Sequence, residues 1–395
     1  MNIGPLRIAY VSLHTSPTDL PGTGDAGGMN VVELNQALAL GRRGHCVDLI
    51  TRRSDPRSAA SAELAPGVSL RLLDAGLAEP MAKSAQESVI DDFGRALGSL
   101  GPHDVVVSQH WMSGMAALPV AAHWGVPHVQ SYHSIAAPVG APLDAGEPAE
   151  SPGREAGERE LAQRSDAVIT ISKAEAHTVI DRLGAPADKV HVVLPGVDHG
   201  VFHPADERHR PPYIAYAARL QPLKAPDLAI RALAHVDPAL RPELWIAGDI
   251  SQDFAEYRAE LDRLVRELDL GDAVRFVGSF DRPGLAAFFQ GARLTVVPSF
   301  SETFGLVALE SAACGTPVVA AACGGLSESV ADGQSGVLIR DRDPEHWGRV
   351  IEGLLSDKNR YAALQAGAVR HAAAFDWNIA AAQVEAILEA LVAHR

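Results

Sequence analysis

The stretch Leu294–Ala321, LTVVPSFSETFGLVALESAACGTPVVAA, decides the fold. LTVVP (Leu294–Pro298) is a short apolar run of the kind that makes a strand covered on both faces. Gly305 opens a segment with helical spacing that runs to Cys314, and TPVVAA (Thr316–Ala321) is a second buried strand. Strand, loop, helix and strand in so short a span make a βαβ unit. Such units build parallel sheets with helices on both faces.

The same rhythm extends outward. YIAYA (Tyr213–Ala217), LWIAG (Leu244–Gly248) and VRFVG (Val274–Gly278) alternate with helical stretches at 225–236 and 253–269. In the first half, LRIAYVSL (Leu6–Leu13), HCVDLIT (His45–Thr51), DVVVS (Asp104–Ser108), AVITI (Ala167–Ile171) and VHVVL (Val190–Leu194) read as strands. Met29–Arg43 and Lys173–Leu183 read as helices between them. Leu194-Pro195-Gly196-Val197 closes the first set, and the polar, Pro-rich segment His203–Pro212 precedes the second. The expectation is an α/β protein of two Rossmann-like, doubly wound domains, residues 1–195 and 196–375, facing a central cleft. The last segment, with Ile379, Val384, Ile387, Leu388 and Leu391 at helical spacing, is expected as a helix over 376–395 that crosses back to the first domain. Pro138–Gly153, rich in Pro and Gly, reads as a mobile surface loop.

Composition excludes several classes. With 47% hydrophobic and 21% charged residues, 395 residues can bury a large core. Acidic residues outnumber basic ones 49 to 34, which argues against a nucleic-acid or anionic-membrane partner. Cys46, Cys314 and Cys323 form no C-x-x-C pair, so they read as small buried hydrophobes rather than a disulfide framework or a zinc site. The start, MNIGPLRIAYVSLHT, lacks a long apolar run. Leu306–Ala322 is interrupted by Glu310, Gly315 and Pro317, so no membrane span is expected and the cytoplasm is the expected compartment.

Three constellations carry chemistry. PGTGDAGGMN (Pro21–Asn30) lies between a strand and a helix. Its four glycines let backbone approach a ligand, and the helix offers free N–H groups to an anion. It is not G-x-G-x-x-G, and Arg52 and Arg53 follow Thr51 where an acidic ribose ligand would stand, so a dinucleotide dehydrogenase is disfavoured. ARLQPLKAP (Ala218–Pro226) sets Arg219 and Lys224 in a βα loop, where two cations suit a diphosphate. PSFSETFGLVALE (Pro298–Glu310) places Glu302 in a loop and Glu310 in a helix. Carboxylates suit vicinal sugar hydroxyls, and amides near Gly305, Leu306 and Val307 suit a phosphate. His133, at the end of HVQSYH, is a further candidate for the cleft.

Taken together, these motifs resemble the retaining nucleotide-sugar glycosyltransferases of family 4, which have the GT-B fold. The resemblance rests on the Glu302/Glu310 and Arg219/Lys224 pairs and on GTPVVAAACGGLSESVADGQSGVLI (Gly315–Ile339). HTSPTDLPGTGDAGGMNVVEL (His14–Leu34) and RLQPLKAPD (Arg219–Asp227) are similar to the inositol-phosphate subgroup of mycothiol biosynthesis, which moves N-acetylglucosamine from its UDP ester. The resemblance implies that Glu302 contacts the donor sugar, Glu310 holds the ribose, Arg219 and Lys224 stabilise the diphosphate, His133 lies beside the donor sugar, and Gly28 lends its amide. It places the acceptor among Asn30, Lys83, His110, Ser134 and Arg154, and implies one with a negative charge. It also implies no tightly bound cofactor, no metal ligands, and Mg²⁺ only as an accessory to a UDP- or GDP-type donor. Small-molecule substrates are the partners, and a homodimer is compatible.

The departures cluster on the acceptor side. Gln109-His110 stands where the subgroup has His-Tyr, no lysine follows His133-Ser134, and Gly248-Asp249-Ile250-Ser251 replaces a G-G-P-S-G loop. An antibiotic-pathway relative therefore stays open, for example one of lincosamide type that joins a nucleotide-activated octose to the thiol ergothioneine. So does a nucleotide-sugar-binding module without turnover.

Overall fold

Short β-branched runs have no polar face to give to water, so they must be covered on both sides. In the computed structural model they form the centres of two sheets. The structure describes residues 4–149, 151–205, 213–250, 254 and 256–394.

The first half carries β1 (Arg7–Ser12), α1 (Gly28–Arg42), β2 (Cys46–Arg52), β3 (Ser61–Ala65), β4 (Val68–Leu73), α2 (Ile90–Gly98), β5 (Val105–Gln109), α3 (His110–Trp124), β6 (His128–Ser131), α4 (Arg154–Arg164), β7 (Ala167–Thr170), α5 (Lys173–Asp181) and β8 (Val190–Val192). Its sheet has the order β3-β4-β2-β1-β5-β6-β7-β8, with every described pair parallel except β3 with β4. The β3–β4 hairpin lies outside the expected strands. β3 is largely exposed, so it has no apolar run to betray it.

The second half carries β9 (Tyr213–Ala217), α6 (Pro226–Ala234), β10 (Glu243–Ala247), α7 (Tyr257–Glu267), β11 (Val274–Gly278), α8 (Arg282–Gly291), β12 (Ala292–Val297), α9 (Leu306–Ala313), β13 (Val318–Ala321), α10 (Leu326–Ser329), β14 (Gly336–Ile339), α11 (Pro344–Ser356), α12 (Lys358–Ala372) and α13 (Trp377–Ala393). Its parallel sheet runs β11-β10-β9-β12-β13-β14. Residues 206–212 of the expected linker, residues 253 and 255 of the expected helix 253–269, Ser251 and the final residue of the helix 376–395 lie outside the described residues.

Strand order reverses between β1 and β5 in one sheet and between β9 and β12 in the other. Ligands bind at such switch points, beyond the carboxyl ends of the strands. Both switch points open onto one cavity: Gly27 and Gly28 follow β1, His110 follows β5, Arg219 follows β9 and Ser299 follows β12.

The chain passes between the two sheets twice. Val197 pairs with Asp376 in a β-bridge, and Val197 N donates to Phe375 O at 3.3 Å. Gly196 sits so close to Asp376 and Trp377 that a Cβ would strike their backbone. After this crossing α13 packs against α1. Trp377, Ala380, Ala381, Val384 and Leu388 are buried there, whereas Ile379, read as part of the apolar stripe, is 55% exposed. Glu385 pairs with Arg43 and with His45, the latter at 2.8 Å. The apolar face carries most of the docking. Burying Val384 or Leu388 contributes about 1.5–3 kcal/mol each, against about 0–1 kcal/mol for a partly exposed ion pair.

Candidate active site

One wall of the cavity is built by the second half. After β9 the chain makes a tight turn at Pro222–Lys224, closed by Ala225 in the left-handed conformation at φ 48°. This turn sets Lys224 Nζ 2.8 Å from Glu302 Oε1, which also accepts the Ser299 hydroxyl at 2.8 Å. Glu302 lies in the loop after β12, and that loop ends at Gly305 (φ 96°), which leads into α9. A Cβ on Gly305 would meet Leu326 Cδ2 at 2.6 Å and Ser329 Oγ at 2.9 Å, so shape and backbone both select glycine. The amides of Leu306 and Val307 belong to the first turn of α9, where N–H groups have no intrahelical acceptor. Glu310, one turn further, is 3% exposed and accepts from Arg282 Nη1 at 2.6 Å. Burial raises its carboxyl above the ordinary value, and Arg282 opposes the rise.

The glycine-rich loop folds across to this wall. Gly22 O accepts from Ser279 Oγ at 3.0 Å and from Asp249 N at 3.3 Å, and Asp25 lies 3.9 Å from Arg219 Nη1. A Cβ on Gly28 would touch Leu306 Cδ1 at 3.3 Å, so the start of α1 faces the start of α9. Asn30 holds the loop in shape. Its Oδ1 accepts from Gly27 N, and its Nδ2 donates to Thr15 Oγ1 and Ser16 O. Asn30 lines the cavity while its side chain holds its own loop in shape.

The opposite wall gathers His14, Lys83, His110, His133, Ser134 and Glu147. His133 adopts φ 61°, a strained setting for a non-glycine residue and one that recurs at functional sites. Its Nε2 is 2.5 Å from Gln109 Oε1, its carbonyl accepts from Thr303 Oγ1 across the cleft at 2.6 Å, and its buried Nδ1 has no protein partner. Burial lowers its pKa to about 3, so the ring is neutral. With Nε2 donating to Gln109, Nδ1 is left as an acceptor for a hydroxyl. His110 (φ 69°) packs against His14 with the rings tilted by 42° and their centroids 4.3 Å apart. Burial holds both well below the ordinary histidine value, with neighbouring cations adding to the effect.

Arg154 stands behind this wall, fully buried. Its Nε donates to Glu158 at 2.8 Å, its Nη2 to Ser134 Oγ at 3.0 Å and its Nη1 to Glu147 at 3.4 Å. Lys83 Nζ is 3.6 Å from Glu147. Burial pushes the Glu147 carboxyl up. The cations Lys83, Arg154 and Arg219, with the Ser134 hydroxyl, outweigh it and hold the group well below the usual carboxylate range.

The cavity, about 300 Å³, therefore brings together Gly28, Asn30, Lys83, His110, His133, Ser134, Arg219, Lys224, Glu302, Gly305, Leu306, Val307 and Glu310, with Arg154 one layer behind. Sequence reasoning missed Glu147 and Arg282. Pro138–Gly153, expected as a mobile surface loop, instead carries Glu147 into the site and buries Ser151, because Ala137 N bonds to Glu147 O at 2.7 Å. Of the cysteines only Cys314 is buried. Cys46 is exposed at the start of β2 and Cys323 is intermediate, which corrects the reading of three core residues. Among the described residues no group of His, Cys, Asp and Glu is placed to hold a metal ion, and no helix is long and apolar enough to cross a membrane.

Known proteins match both halves. Residues 27–196 match the family described as glycosyl transferase 4-like domain, and residues 202–370 match glycosyl transferases group 1. The D-inositol 3-phosphate glycosyltransferase of Stackebrandtia nassauensis is 41% identical over 95% of this chain and 89% of its own length. That of Kribbella flavida is 39% identical over 95% and 93%. Among solved structures, the sucrose-phosphate synthase of Thermosynechococcus elongatus superposes with a TM-score of 0.91 at 26% identity, over 99% of this chain and 100% of its own. Anabaena HepE in complex with UDP and glucose gives 0.77 at 20% identity, over 98% and 100%.

Proposed function

The chain belongs to the group 1 glycosyltransferases, and from that membership we propose that it moves a sugar from a nucleoside diphosphate to D-inositol 3-phosphate, with retention of configuration. It has the GT-B fold and is an enzyme acting on a small-molecule donor and a small-molecule acceptor. The observation that carries the finer reading is the meeting of two cationic centres in one cavity. Arg219 and Lys224 lie on the donor side beside the first turn of α9, and Lys83 with Arg154 lies on the other side beside Ser134.

Residues 196–375 take the donor in this reading, and residues 1–195 with α13 take the acceptor. Glu310 receives the ribose hydroxyls and Glu302 those of the sugar. As the bond from the anomeric carbon to the diphosphate breaks, negative charge grows on the leaving oxygen. Lys224, Arg219 and the amides of Leu306 and Val307 are fixed beforehand to meet it, so they bind the transition state more strongly than the ground state. The leaving oxygen takes the acceptor's proton on the same face. His133 Nδ1 accepts a donor-sugar hydroxyl and fixes the ring's orientation. The base in this reading is uridine rather than guanosine, in keeping with the UDP bound by the HepE neighbour, and Mg²⁺ would be only an accessory to the diphosphate. The cytoplasm, where nucleotide sugars are made, is the compartment.

Mass-spectrometric screening of UDP- and GDP-linked sugars against D-inositol 3-phosphate, unphosphorylated inositol and small thiols tests this reading. Product from UDP-N-acetylglucosamine and the phosphate is expected. Product only with a thiol would replace it by the antibiotic-pathway alternative.

A further inference from the structure

Both cations offered to an acceptor's anion are already engaged by a carboxylate. Glu147 Oε2 lies 3.4 Å from Arg154 Nη1 and 3.6 Å from Lys83 Nζ. Among the described residues Glu158 is a further carboxylate partner of Arg154, and it differs in kind from Glu147. Glu158 is 1% exposed, sits at 2.8 Å, and accepts the Ala136 amide on both oxygens at 3.0 and 3.1 Å. Its removal would undo the turn that carries Ser134. Glu147 lines the cavity, its side chain is 20% exposed, and its ion pairs are long. Its backbone is held by the bridge between Ala136 and Glu147 and by the Ala137 N to Glu147 O bond. The side chain is held by the Lys83 and Arg154 ion pairs and the Ser134 hydroxyl, so an exchange moves the side chain and leaves the backbone in place.

We propose that Glu147 is a specificity-determining residue: in the free enzyme its carboxylate stands in the place of the acceptor's anionic group, and acceptor binding exchanges one for the other. The proposal rests on the reading of an anionic acceptor given above. A tethered carboxylate competes at an effective concentration on the order of millimolar or higher. A phosphate brings more charge and three oxygens, enough to displace it. A neutral cyclitol offers Lys83 and Arg154 only hydroxyl oxygens and no charge to replace the carboxylate, so the ion pairs stand and it is rejected. Without an acceptor, Glu147 supplies carboxylate charge to the largely buried Lys83 and Arg154, which makes their burial less costly.

The test is calorimetric titration of the full chain with inorganic phosphate, for wild type, Glu147→Gln, Lys83→Met and the double variant. Glu147→Gln should bind phosphate at least tenfold more tightly, and the gain should vanish in the double variant, which separates this site from the diphosphate site at Arg219 and Lys224. With D-inositol 3-phosphate as substrate, the acceptor KM of Glu147→Gln should fall by a similar factor while kcat and donor KM stay within twofold. Glu147→Asp, which keeps the charge, should stay near wild type in both assays and serves if Glu147→Gln folds poorly: tightening in Glu147→Asp to the full extent would overturn the exchange. Unchanged or weaker phosphate binding by Glu147→Gln, or a gain that persists without Lys83, also overturns it. Tighter phosphate binding with no turnover of any phosphorylated cyclitol would uphold the exchange and refute the acceptor assigned under the proposed function.

Discussion

The two walls of the cleft handle charge differently. On the donor wall Lys224 and Glu302 are each 17% exposed by side chain and Arg219 is 22% exposed, so these groups stand at the cavity surface with water and ligand in reach. On the acceptor wall Arg154 is fully buried, and its fork is divided among Glu158, Ser134 and Glu147. A charge at the surface of a cleft can be removed at the cost of chemistry. A charge inside a buried network holds the wall together, and its removal is felt first in folding. Arg154 thus positions Ser134 and Glu147 as well as offering its charge to the acceptor, and its substitution is a poor probe of acceptor affinity.

The largest effect expected from this contrast is on stability. Arg154→Ala removes the cation 2.8 Å from buried Glu158 and breaks a buried ion pair, which costs about 3–5 kcal/mol. Thermal denaturation should show a large loss before any kinetic change is read. An Arg154→Ala chain as stable as wild type would break the comparison. Next comes Lys224→Ala. It should fold normally and lose about 10²-fold or more in kcat, about 2.7 kcal/mol, the usual scale for one preorganised charge stabiliser. Single-turnover kinetics with saturating donor reads this directly, and wild-type turnover would remove Lys224 from the chemistry.

A smaller effect sharpens the picture of buried charge in the first half. Glu33, on α1, is fully buried, and burial raises its carboxyl to about 8, with the Ser12 hydroxyl opposing the rise. The unfolded chain loses this proton near the ordinary value of 4.5 while the folded chain keeps it up to about 8. Stability contributed by the protonated group is therefore full below pH 4.5 and is lost as pH rises towards 8. Glu33→Gln keeps the shape and removes the titration. Its melting temperature should match wild type at pH 4 and exceed it at pH 9, by a margin corresponding to at most about 5 kcal/mol, the linkage value of a shift from 4.5 to about 8. Equal melting temperatures at both pH values would show that the carboxyl is not held protonated.

The walls also differ in how much of them the sequence reveals. Arg219, Lys224, Glu302, Gly305 and Glu310 sit in two βα loops and the turns that follow, so spacing within a few residues states their geometry. The acceptor wall draws Lys83, His110, Ser134, Glu147 and Arg154 from separate segments, and contacts such as Lys83 with Glu147 leave no local pattern. Glu147 was hidden further by its neighbours, since Gly146 and Pro148 announce a loop while saying nothing of the bridge to Ala136. Arg282 escaped for the same reason, 28 residues from Glu310 along the chain. The sheets were legible because buried parallel strands are nearly all apolar. The β3–β4 hairpin was not, because an exposed edge strand carries no such run.

The two walls divide the anions between them: the acceptor wall receives the acceptor's charged group, and the donor wall, which holds the diphosphate, does not share that task. Steady-state kinetics of Lys83→Met with D-inositol 3-phosphate and donor varied in turn tests it most directly. Lys83 is 9% exposed and lines the cavity, and methionine keeps its apolar stem. The acceptor KM should rise about tenfold or more, the value of one charge-assisted hydrogen bond, while donor KM and kcat stay within twofold. An unchanged acceptor KM, or a rise in donor KM of the same size, would contradict the division of the cleft.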